Sequence, residues 1–166
     1  MPKDESFDIT TGADLQEVDN AVNQAVREIT GRYDFKSVLA EIEYDRAKGK
    51  ISIHTADEFH LNAIWDALVS RFVARKVPVV NMKRAALAPA GNDTVRQEIA
   101  LVQGIDSDTG KKITQFIRDQ KYKKVQSQIQ GDAVRVSGPN RDDLQTAMQA
   151  LREQDFGIEL NFGNYR

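Results

Sequence analysis

The chain has 166 residues, 40% hydrophobic and 29% charged, with a formal net charge of −2 and no cysteine. That balance is globular, long enough for one domain or two small ones, and it excludes disulfides, thiolate-bound metal, iron–sulfur clusters and thiol catalysis. No apolar run reaches the roughly 18 residues of a membrane span and Met1–Ser6 lacks an apolar signal segment, so a cytoplasmic location is expected; near-neutral charge speaks against a nucleic-acid-coating protein but leaves room for a local basic site.

Ser6–Thr10 alternates and predicts a short strand. A helix is expected from Thr11, with Asp14 in a capping arrangement and Leu15, Val18, Val22, Ala25, Val26 and Ile29 as its apolar stripe. Ser37–Tyr44 and Lys50–Thr55 read as a hairpin turning at Gly49. Thr55-Ala56-Asp57-Glu58 reads as a second capping box, and the helix behind it carries Leu61, Ile64, Trp65, Leu68 and Phe72. Val77–Met82 is a candidate strand, placed at an edge by Pro78. The order then recurs: a strand over Asp93–Val102, a helix over Ser107–Gln120, a hairpin of Lys124–Gln130 and Asp132–Ser137, a helix capped by Asn140, and a last strand over Ile158–Phe162. Each half spells β-α-β-β-α-β, the ferredoxin-like pattern of an α+β protein. The expected domains are 1–88 and 89–166, with Lys83–Asn92 as linker.

In such a domain both helices cover one sheet face and leave the other open. Alternation puts Val125, Ile129, Val134 and Val136 toward the helices. Gln126, Gln128, Gln130 and Arg135, joined by Asn161, face away. Amides and a guanidinium suit base edges and phosphates, although polar-out alternation is also the default for a solvated sheet. The corresponding face of the first half shows Glu41, Glu43, Ser52 and His54 and suits phosphate poorly. Neither face carries aromatics placed like those of RNA-recognition motifs. The most basic stretch holds Lys111, Lys112, Arg118, Lys121, Lys123 and Lys124, which a phosphate partner could use. Arg32-Tyr33-Asp34-Phe35-Lys36 alternates charge and aromatics at a helix-to-strand corner.

Several motifs fail. Gly104–Lys112 resembles a P-loop, but five residues separate its glycines and Lys112 replaces the magnesium-binding hydroxyl. His54 and His60 have no zinc spacing, and no acid, base and nucleophile converge. The chain is therefore expected not to be an enzyme and to need no cofactor or metal.

Gln128–Gln145, running Gln-Ile-Gln-Gly-Asp-Ala-Val-Arg-Val-Ser-Gly-Pro-Asn-Arg-Asp-Asp-Leu-Gln, resembles the signature of the YajQ family. Further matches lie at Ser6–Ile9, Gln16–Val18 with Asn20-Ala21, Arg32–Lys36, Gln103–Ile105, Lys111–Ile113, and Phe162 with Asn164–Arg166. The resemblance implies two ferredoxin-like domains that exchange their N-terminal strands, 6–10 and 93–102. It also implies nucleotide binding. Some members resemble cyclic di-GMP receptors that partner with transcription factors, and RNA, including tRNA, is a further proposed ligand. One departure is Ala90-Gly91-Asn92, where many members carry Ser-Gly-Lys.

The sequence thus leads to a non-catalytic nucleotide-binding protein, with cyclic di-GMP as the expected ligand. Single-stranded RNA or tRNA binding and a protein-interaction adaptor are the alternatives. Arg135, Arg141 and Lys111 or Lys112 are expected at phosphates, Gln126, Gln128 and Asn161 at base edges, and Tyr33, Phe35 or Tyr165 against a base, with Arg32 and Lys36 alongside.

Overall fold

A computed structural model describes residues 4–166. In chain order its elements are β1 (Glu5–Thr10), α1 (Leu15–Gly31), β2 (Ala40–Asp45), β3 (Lys50–Thr55), α2 (Glu58–Ala74), β4 (Met82–Arg84), β5 (Ala88–Ala90), β6 (Thr94–Leu101), α3 (Ser107–Asp119), β7 (Gln126–Gln130), β8 (Ala133–Gly138), α4 (Arg141–Arg152) and β9 (Asn161–Gly163). Four helices and two antiparallel sheets make the mixed architecture that the repeated element order predicts. The chain divides into two compact units, one of Ala13–Val102 and one of Met1–Gly12 with Gln103–Arg166.

The continuous unit holds a sheet in the order β2-β3-β6-β4, with β5 also paired to β6. Ile51, Ile53 and Ile99 on the inner sheet face meet Val18, Val22, Leu61, Ile64, Leu68 and Phe72 from the two helices. The discontinuous unit holds the order β7-β8-β1-β9. There Ile9 stands opposite Val134 and Phe162, and Phe7 opposite Val136. These side chains pack with Ile113, Ile117, Leu144 and Met148 of α3 and α4.

Helix starts follow their capping side chains. Asp14, not Thr11, caps α1 and accepts from the Gln16 N–H. Gly12 lies at φ 143, a conformation that no helix contains. Asp57 caps α2, Asp106 caps α3 and Asn140 caps α4.

Three expected elements change. Lys83–Asn92 is not a free linker: β4 and β5 both pair with β6, with Pro89 opposite Val95. Proline is tolerated there because an edge strand can leave one ladder position without a donor. Val77–Met82 is not a strand; Val79–Asn81 forms a 3-10 turn after Pro78, and β4 starts at Met82. The last strand shrinks to Asn161–Gly163, while Ile158 and Leu160 still pack on the core.

Candidate functional site

The open face of the β7-β8-β1-β9 sheet gathers four of the expected side chains. Register sets Gln128 opposite Arg135, Arg135 opposite Asp8, Gln126 opposite Ser137, and Thr10 opposite Asn161. Arg135 is not a free cation. Its Nε donates to Asp8 Oδ1 at 2.9 Å, and Asn164 Nδ2 donates to Asp8 Oδ2 at 2.6 Å. The hydrogen bonds from Arg135 and Asn164 hold the Asp8 carboxyl below the usual carboxylate range. The same bond raises Arg135 above the ordinary guanidinium value. A phosphate reaching Arg135 must compete with a carboxylate already in place.

Arg141 has the same constraint. It begins α4, and its Nε donates to Glu5 Oε2 at 3.1 Å. The pair borders a cleft of about 320 Å³ that Leu144, Met148 and Tyr165 also line. In the continuous unit, Arg32 makes two hydrogen bonds to Asp34, at 3.0 and 2.7 Å, and lies 3.6 Å from Glu28. Phe35 is only 6% exposed and belongs to the core, so its faces are not open to a base. Its neighbour Tyr33 is the open ring, 90% exposed. Lys36 is exposed.

Lys111 and Lys112 differ from these arginines. Among the described residues neither has an ion-pair partner. Asp106 fixes the start of their helix by accepting from the Thr109 N–H at 2.7 Å. Gly110 lets α3 lie close to β7: a Cβ there would stand 3.2 Å from Ile129 Cδ1. The two lysines follow directly and line an open cleft of about 520 Å³. Its other walls include Phe116 and Phe156, packed edge to face with centroids 5.8 Å apart, and Asp119 and Asp155 also line it.

The expected residues therefore do not form one cluster. α3 and α4 pack on the inner face of the β7-β8-β1-β9 sheet, while Gln126, Gln128 and Arg135 occupy the outer one. Lys111 and Lys112 cannot meet the same small ligand as that amide row. The aromatic pair was missed because Phe116 sits in a helical stripe with Ile113 and Ile117 that reads as core. The strand exchange that the resemblance implies places Asp8 beside or close to Arg135, as the register has it. That Asn164 donates to the same carboxylate has no signal in the sequence, because the two are remote in the chain. Among the described residues no group of His, Asp and Glu could hold a metal ion, and no helix is long and apolar enough to cross a membrane.

A family model described as nucleotide-binding protein YajQ-like matches residues 5–166. The chain belongs to the YajQ-like family. A relative from Desulfitobacterium hafniense (strain DSM 10664 / DCB-2), named as a nucleotide-binding protein, is 48% identical over 166 residues, covering 100% of both chains. A nucleotide-binding protein from Chloroherpeton thalassium is 41% identical over 161 residues, 97% of each chain. One from Bacillus cereus (strain Q1) is 43% identical over 166 residues, again 100% of both. The YajQ-like match runs through both units, so the α3 cleft and the amide face both lie inside it.

Proposed function

We propose that this chain binds a guanine nucleotide, cyclic di-GMP, without catalysis, and acts in the cytoplasm through a protein partner. The observation that carries the reading is the α3 cleft: two lysines that form no salt bridge among the described residues, beside an edge-to-face aromatic pair. Its volume of about 520 Å³ falls within the usual range for small-molecule sites. The roles follow from chemistry. The ammonium groups of Lys111 and Lys112 attract phosphate, and the rings of Phe116 and Phe156 offer an apolar wall to a base. Asp119 and Asp155 are acceptors for a base edge rich in N–H donors, which guanine presents and adenine does not. The family relatives, named as nucleotide-binding proteins, support the same class.

Calorimetry on nucleotide-free protein tests this, with cyclic di-GMP, GTP and a short RNA compared at two salt concentrations. The expected result is saturable cyclic di-GMP binding that is lost in Lys111→Ala/Lys112→Ala and kept in Arg135→Ala. Binding lost only in Arg135→Ala would move the site to the amide face. Silence with all three ligands would refute nucleotide binding and leave an adaptor.

Single-stranded RNA is the second reading. It is favoured by Tyr33 and Phe59, 90% and 73% exposed in the continuous unit, because exposed rings stack bases irrespective of sequence. Affinity that rises with RNA length and falls steeply with salt would select it.

A further inference from the structure

The strands that end the two sheets are not alike. β2 turns Glu41, Glu43 and Asp45 to solvent, β4 carries Lys83 and Arg84, β5 contains Pro89, and β9 is three residues long. Charge, proline and shortness are the ordinary devices that stop a sheet edge from recruiting another strand. β7 has none of them. Gln126-Ser127-Gln128-Ile129-Gln130 is uncharged and proline-free, and it ends the order β7-β8-β1-β9.

The hairpin register tells which backbone groups stay open. Gly131 and Asp132 form a two-residue turn, with Gly131 at φ 63 and Gln130 opposite Ala133 as the closing pair. In such a hairpin the closing pair exchanges both hydrogen bonds and every second pair repeats this. Gln126, Gln128 and Gln130 therefore spend their N–H and C=O groups on β8. Ser127 and Ile129 aim theirs off the edge of the sheet.

The surroundings select the partner. Lys121, Lys123 and Lys124 lie immediately before β7, and Arg118 ends the helix that packs on it. None of the four has an ion-pair partner among the described residues. A second copy of this chain joined edge to edge would bring two basic sets together, whereas an acidic strand is attracted. We infer that β7 is the docking edge for an extended acidic segment of a partner protein, which adds to the sheet as a further strand. The inference deepens the partner-mediated part of the proposed function and rests on that reading, while binding at the edge needs no nucleotide.

The test is calorimetry of the full chain with a blocked peptide of alternating Glu and Val, and with the alternating Lys and Val peptide as control. The acidic peptide should bind saturably, more weakly as salt rises, and the basic one not at all. Ser127→Pro removes one outward N–H and leaves the β8 ladder intact, so affinity should fall about tenfold or more with an unchanged circular dichroism spectrum. Lys123→Glu/Lys124→Glu keeps the strand and should also lose the acidic peptide, which covers misfolding of the proline variant. Equal binding of both peptides, no binding of the acidic one, or undiminished binding in a folded Ser127→Pro or in the charge variant overturns the inference. Cyclic di-GMP titrated into the same samples separates the two ideas. Nucleotide binding without peptide binding sinks the docking edge alone, and the reverse sinks the nucleotide reading alone.

Discussion

Replacing Ile9 by Ala should open the β7-β8-β1-β9 sheet and spare the other. Ile9 is fully buried, with Val134 and Phe162 opposite it on either side. The substitution deletes three carbons, worth roughly 0.8 kcal/mol each in lost burial, and leaves a cavity, for a total of about 3 kcal/mol. At 1.4 kcal/mol per factor of ten, amides that exchange only by opening of that sheet should exchange roughly 150-fold faster. The natural reporters are Val134 and Val136, the β8 residues opposite Ile9 and Phe7. Ile51 and Ile53 in β3 serve as controls, and Trp65, the single tryptophan, reports by fluorescence on the Ala13–Val102 unit. Hydrogen exchange followed by NMR reads all four amides in one sample. Unchanged protection at Val134 and Val136, or an equal loss at Ile51 and Ile53, would refute the assignment of β1 to this core.

Two other outcomes follow from local geometry. Asn140→Ala removes the side chain that accepts from the Asp142 and Asp143 N–H groups at the start of α4 and should cost about 1 kcal/mol in urea unfolding. The Asp8 carboxyl is lowered mainly by its hydrogen bonds from Arg135 and Asn164, so its contribution is present above the ordinary carboxylate range and disappears as pH falls through its lowered folded value. Wild type should therefore melt above Asp8→Asn near neutrality, and the gap should shrink below roughly pH 4; a gap that is constant down to strong acid would contradict the pairing.

Local rules made much of the framework legible. Asn140 announced its helix because a short side chain that accepts backbone N–H groups is a local event. The capping box read over Thr55–Glu58 starts two residues early: Thr55 ends β3 and donates to the Leu39 carbonyl, and Asp57 is the cap. Lys50–Thr55 alternates strictly and forms β3 over that same range. Ala88-Pro89-Ala90 has no strand propensity of its own; β6 beside it supplies the pairing, and that neighbour is invisible to a local pattern. The site was less legible for the same reason. The strand exchange implied by the resemblance brings Asp8 toward Arg135, but Arg141 is a plain cation in the sequence, and its partner Glu5 comes from the far end of the chain. Helical spacing placed Phe116 in the core stripe, yet spacing does not distinguish a buried ring from one at the border of a cleft.

The split of one unit around the other bears on how the protein is made. Translation delivers β1 first and its neighbours β8 and β9 last. By the time Val102 has left the ribosome, the Ala13–Val102 unit has every strand it needs and can fold. The segment holding Phe7 and Ile9 must wait, as an apolar tether on a finished body, until Gly138 emerges. Both side chains are fully buried in the mature sheet, so this interval is when a chaperone, or another nascent copy, would find them.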